Sequence, residues 1–124
     1  MALLLDTQIL VWMGSGDSRL SQRARSAMQR PGENLVVSAV VAWEFVDLQL
    51  RGRFPVGVNL PDLIASFALQ IVDFPAGAWS LAASLPDVHK DPVDRMVVAH
   101  AIHDNHILVS ADANIRRYPV KTLW

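Results

Sequence analysis

Apolar residues fall along this chain in two textures: short unbroken runs, and longer stretches where they recur at three- and four-residue spacing. The unbroken runs are "ALLL" (2–5), "NLVVS" (34–38) and "HILVS" (106–110). A strand buried on both faces of a parallel sheet shows no alternation, so each run predicts such a strand. "LQIVDF" (69–74) reads as a brief strand and "YPVKTLW" (118–124) as a weaker edge strand. Between them lie helical segments with start and stop signals. "TQILVWM" follows the first strand. "SRLSQRARSAMQR" (18–30) opens on a capping serine, Ser18, and stops before Pro31-Gly32. "SAVVAWEFVDLQLRG" (38–52) carries apolar residues at 40, 41, 45, 48 and 50 and is ended by Gly52. "LPDLIASFAL", "PAGAWSLAASLP" and "PVDRMVVAHAIHDN" are three more helices with proline punctuation. Alternating strands and helices predict an α/β fold, a mostly parallel central sheet flanked by helices on both faces. No internal repeat, low-complexity tract or linker interrupts residues 1–124, so one domain is expected.

Composition narrows the chemistry. With 124 residues, 52% of them hydrophobic, the chain can bury one sizeable core. It has no cysteine, which excludes disulfides, thiolate metal sites and cysteine nucleophiles, and suits a reducing cytoplasm. The start "MALLL" has no basic leader and is broken by Asp6, so it reads as a strand rather than a signal peptide. No run approaches the roughly 18 apolar residues of a membrane span. The 11 basic and 12 acidic residues give a net charge of -1, which argues against gripping nucleic acid by bulk electrostatics. Local basic groups remain at Arg19, Arg23, Arg25 and Arg30, and in the pairs Arg51/Arg53 and Arg116/Arg117. Surface solvation is their ordinary role.

Candidate chemistry lies in the acids. Asp6 closes the first strand, Asp112 stands just past "HILVS", and Asp94 sits in the first turn of a late helix. Functional groups of open parallel sheets gather at the carboxyl edge, so these distant residues are expected to converge, with Glu44 able to join them. Two like charges 4 Å apart repel by about 4 kcal/mol at an effective dielectric near 20. A hard divalent cation such as Mg2+ relieves that repulsion with a few carboxylates and a phosphate substrate as ligands.

Each acid also has a structural reading. Asp91-Pro92-Val93-Asp94 is a well-formed helix start: Asp91 caps, Pro92 fills the first position, and Asp94 meets the positive end of the dipole. Asp6 can cap the next helix, Asp112 can hold a turn, and Ser38 reads as a cap. Glu44 differs. Inside "VVAWEFV" a buried acid without a partner is costly, which points to a site. His89, His100, His103 and His106 match no standard zinc spacing and read as structural or exposed. Trp12, Trp43, Trp79 and Trp124 read as core or interface residues. Arg95, beside Asp94, is placed to contact phosphate or to form a surface salt bridge.

Four blocks in order, "LLLDTQILVW", "VVSAVVAWEF", "HKDPVDRMVVAHA" and "ILVSADANIRRYPV", resemble the PIN-domain ribonucleases, particularly VapC-type toxins of bacterial toxin-antitoxin pairs. The resemblance spans nearly the whole chain. It implies a metal-dependent endoribonuclease whose acidic quartet is Asp6, Glu44, Asp94 and Asp112, holding Mg2+ or Mn2+. It suggests Thr7, Ser38, Asp91 and Ser110 as helpers that position carboxylates or water. It further implies hydrolysis of RNA to a 5'-phosphate and a 3'-hydroxyl, a homodimer, and silencing by a small antitoxin that inserts a basic or polar tail into the acidic cleft. The chain departs from many relatives at Gln8, where those carry histidine. Two rivals are a receiver-type phosphorylation domain, which wants paired acids after the first strand, and a non-catalytic α/β protein-binding module.

Overall fold

The computed structural model describes residues 2–88 and 90–124. Five strands, β1 (Leu3–Leu5), β2 (Leu35–Ser38), β3 (Gln70–Val72), β4 (Ile107–Val109) and β5 (Thr122–Leu123), form one sheet in the order β3-β2-β1-β4-β5. Every pairing is parallel. The chain builds outward from β1 to β3, then crosses back to lay β4 on the other side of β1. Strand order therefore reverses between β1 and β4, where Leu5 pairs with Val109, and a crevice opens at the carboxyl ends of these two strands.

The central strands form because their residues can be buried on both sides. Leu3, Leu4 and Leu5 are all buried, as are Val36, Val37, Leu108 and Val109. Successive side chains of a strand point to opposite faces, so both faces of the sheet are covered. Edge strands β3 and β5 are shorter or more exposed, in keeping with their mixed sequences.

Among the described residues five α-helices connect and cover the strands: α1 (Thr7–Ser15), α2 (Gln22–Met28), α3 (Ala39–Leu50), α4 (Leu60–Phe67) and α5 (Pro92–Asp104). Two 3-10 helices span Ala76–Ala83 and Ile115–Arg117. The caps at α3 and α5 are the predicted ones: Ser38 Oγ accepts from Val40 N at 3.3 Å and Asp91 Oδ1 from Val93 N at 2.9 Å. Gly52, just past α3, has φ +70, which suits glycine. At its end α5 turns through Asn105 in the left-handed region, φ 55.

Two expectations are corrected. The second helix starts at Ser21, whose Oγ accepts from Ala24 N at 3.1 Å, and not at Ser18. Asp17 and Arg19 pair at 2.7 Å and Leu20 is buried, which holds 17–20 as a turn. The segment 76–83 is a 3-10 helix, within which Ser80 Oγ donates back to Gly77 O at 3.0 Å. Among the described residues no helix is long and apolar enough to cross a membrane.

Candidate active site

Asp6 stands at the end of β1, directly beside the end of β4. Its two oxygens are held separately: Oδ1 accepts from Thr7 N at 2.7 Å, and Oδ2 accepts from Ser110 Oγ at 2.7 Å. Ser110 Oγ in turn accepts from Asp112 N at 3.1 Å, and Asp112 Oδ1 accepts from Asn114 N at 2.8 Å. The turn after β4 thus fixes Asp112 next to Asp6 while Asp112 caps its own loop. On the other side α3 presents Glu44, whose Oε1 accepts from Thr7 Oγ1 at 2.5 Å. This is the partner that its apolar neighbourhood demanded. The first turn of α5 brings Asp94 and its cap Asp91.

These segments enclose an open cavity of about 480 Å3 lined by Asp6, Thr7, Glu44, Asp91, Asp94 and Asp112, with Gln8, Val11, Leu48, Phe54 and Ala111 completing its walls. Neither lysine nor arginine is among the described residues that line it. Ser110 supports the cavity from behind, fully buried. Ser38 is placed elsewhere: its buried hydroxyl serves the cap of α3 and lies 2.9 Å from His100 Nδ1, and it is not among the described residues that line the cavity. Arg95 is also turned away. Its guanidinium donates to the carbonyls of Ala82 and Pro86, each at 2.9 Å, and to Tyr118 Oη at 3.4 Å, and it is not among the described residues that line the cavity.

The electrostatics follow from burial and crowding. Burial pushes the Asp6 carboxyl above its ordinary value, and the charges of Asp112 and Asp91 push the same way, against the hydrogen bonds from Ser110 and Thr7. Burial likewise raises Glu44, helped by Asp91, Asp6 and Asp47 and opposed by Thr7. Carboxylates desolvated beside other carboxylates favour a nearby positive charge. An all-oxygen donor set with space for water and phosphate fits a hard divalent cation, Mg2+ or Mn2+.

Leu48 and Phe54 form an apolar wall that the sequence did not disclose. Phe54 follows the helix-ending glycine in an irregular segment, and its ring packs on Phe45 at 4.6 Å. Of the histidines, His100 is buried, His103 is exposed and His106 is half-buried, all away from this cavity; His89 lies outside the described residues. Trp12 packs on Trp124 at 5.6 Å, whereas Trp43 and Trp79 are exposed.

A parallel α/β sheet with an acid-lined crevice at its switch point defines a class of fold, and the family model for the PIN domain matches residues 3–121. The chain belongs to the PIN-domain family. It is similar to Ribonuclease VapC22 of Mycobacterium tuberculosis (strain ATCC 25618 / H37Rv), at 28% identity over 129 residues covering 98% of both chains. Its fold matches that of VapBC2 from Rickettsia felis bound to a promoter DNA fragment, with TM-score 0.71 and 19% identity over 98% of this chain and 97% of the other. It also matches Mycobacterium tuberculosis VapC20, described as a Sarcin-Ricin loop cleaving toxin, with TM-score 0.63 and 13% identity over 94% of each chain. A third match is VapBC-1 from nontypeable Haemophilus influenzae, with TM-score 0.60 and 16% identity over 98% of this chain and 96% of the other.

Proposed function

We propose that this chain is a divalent-metal-dependent endoribonuclease, the toxin of a type II toxin-antitoxin pair. The observation that carries the reading is the meeting of Asp6, Glu44, Asp91, Asp94 and Asp112, from four separate stretches of chain, in one cavity lined by no lysine or arginine among the described residues. Asp6, Glu44, Asp94 and Asp112 are the residues that would hold Mg2+ or Mn2+. When bound, the ion would supply charge neutralisation for a phosphodiester and lower the pKa of a water, the chemistry that hydrolysis to a 5'-phosphate and a 3'-hydroxyl requires.

The remaining work belongs to the chain's own groups. Ser110 and Thr7 N fix both oxygens of Asp6, so its carboxylate is oriented before any ligand arrives. Thr7 Oγ1 occupies Glu44 Oε1, which leaves Oε2 as the oxygen to face ligand or water. Asp91 holds the start of α5 and thereby the position of Asp94. The buried hydroxyl of Ser110 couples Asp6 to the Asp112 loop.

The partners follow from the same reading. RNA is the substrate, in keeping with the name of the ribonuclease relative. The antitoxin is a small protein whose basic or polar tail enters the acidic cavity, in keeping with neighbours solved as VapBC pairs. The exposed apolar side chains Trp43, Trp79 and Met96 around α3 and α5 suit burial in a homodimer. The protein acts in the cytoplasm, where RNA and Mg2+ are available.

The test is incubation of the purified chain with total RNA in MgCl2, with EDTA and with Asp6→Asn and Asp94→Asn variants. Cleavage that needs the metal and is lost in both variants supports the enzyme. Folded protein that cuts no RNA under any divalent metal overturns it in favour of a non-catalytic binding module.

A further inference from the structure

Away from the acidic cavity, the end of α5 gathers a second set of ligand-type side chains. His100 and Asp104 are four residues apart and therefore share one face of the helix. Asn105, in the left-handed conformation, then reverses the chain, and His106 N donates to Ala101 O at 2.9 Å. That reversal swings the His106 ring back over the same face. His100 Nε2 comes to 3.2 Å from Asp104 Oδ2, and His106 Nε2 to 3.9 Å from the same oxygen. One ligand atom from each of the three lies within 4.8 Å of the others.

A second observation points to a ligand. His100 is completely buried, yet among the described residues its Nε2 faces only the Asp104 carboxylate, at 3.2 Å, and makes no well-formed hydrogen bond. The other ring nitrogen lies 2.9 Å from Ser38 Oγ, which can accept an Nδ1 proton and so leave a lone pair on Nε2. Asp104 is oriented as well, since its other oxygen, Oδ1, lies 2.7 Å from His103 Nδ1. The cluster is closed on the His100 side and open to solvent at Asp104, which provides an entry path.

We propose that His100, Asp104 and His106 form a second metal site, for a borderline transition-metal ion of the Zn2+ type, with water as the remaining ligand. Two imidazoles and a carboxylate suit Zn2+ or Co2+ far better than Mg2+. Ligands at about 2.0–2.1 Å in a tetrahedron stand about 3.3 Å apart, close to the observed His100–Asp104 spacing. His106 closes in by a small rotation and gives up a long contact, 3.4 Å, that its Nδ1 accepts from Ala2 N. The spacing H-x3-D-x-H matches no standard zinc motif because the reversal at Asn105, and not helical periodicity alone, brings the third ligand in.

The experiment is titration of the full-length chain with CoCl2 and then ZnCl2, in excess MgCl2 to fill the all-oxygen cavity. One equivalent of Co2+ with the visible spectrum of a four-coordinate nitrogen-oxygen site, displaced by Zn2+, is expected. Asp104→Asn and His106→Gln should weaken that binding by at least about 10- to 100-fold, the scale seen even for groups that only support a ligand. These two positions carry the test because His100 is buried and its replacement risks unfolding. Circular dichroism of the unloaded variants checks that they fold. The proposal is overturned if wild type shows no such spectrum, if the two variants bind as wild type does, or if Asp94→Asn abolishes the signal instead. RNA cleavage is not the readout, so the outcome is independent of the nuclease reading.

Discussion

Replacing Thr7 by valine removes one hydroxyl and almost no volume. Thr7 is buried and its Oγ1 donates to Glu44 at 2.5 Å, so the lost interaction is a charge-assisted hydrogen bond. Such bonds contribute about 1.5–3 kcal/mol. Glu44 is only partly buried, so water can take over the vacated lone pair, and the cost should fall to about 1–2 kcal/mol. For a chain of this size that lowers Tm by roughly 3–10 °C. Urea unfolding at neutral pH in EDTA measures it, with Thr7→Ser as the variant that keeps the donor. In a Glu44→Gln background the acceptor is neutral, and the Thr7→Val loss should shrink to about half. An equal loss in both backgrounds, or a change below about 0.3 kcal/mol in wild type, would refute the pairing as an energetic contact.

Asp6→Asn should stabilise the metal-free chain at neutral pH, because Asp6 has its pKa raised in the folded state. The sign is that of a raised carboxylate: its contribution is most favourable below the unfolded value of 3.8 and is lost as pH rises through the folded one. The stability difference should therefore vanish as pH falls below about 3.8, and excess Mg2+ should reverse it at neutral pH; unfolding curves across pH with and without Mg2+ read both. Ser110→Ala removes the buried donor to Asp6 and the acceptor of Asp112 N, and should reduce metal-dependent RNA cleavage by about 10- to 100-fold in kinetic assays of folded protein. Ala68 ends α4 with φ 53, where a Cβ is strained, so Ala68→Gly should raise stability by about 0.5–1 kcal/mol in thermal unfolding with cleavage unchanged.

Much of this molecule could be read from the order of its residues. The runs at 2–5, 34–38 and 106–110 announced both-face burial, and that alone implied a parallel sheet and hence a carboxyl edge. The aspartates were legible because each stood where backbone rules place it, at or just past a strand end or at the start of a helix. Glu44 stood out through its surroundings, and the structure supplies Thr7 as its partner. What remained hidden depended on contacts between distant segments. Ser18 and Ser21 are equivalent as letters, and the pairing of Asp17 with Arg19 decides between them. Arg95, which in sequence is placed to contact phosphate or to form a surface salt bridge, donates instead to the carbonyls of Ala82 and Pro86. The histidines at 100 and 106 come together only through the turn at Asn105.

The hydrogen bond from Ser110 to Asp6 joins positions 104 apart in sequence, and Asp112 follows two residues later. A ribosome that has just begun α5 has made Asp6 and Glu44 but neither Ser110 nor Asp112, the groups that close the crevice from the far side. The acidic crevice is thus completed only once the turn after β4 has been made.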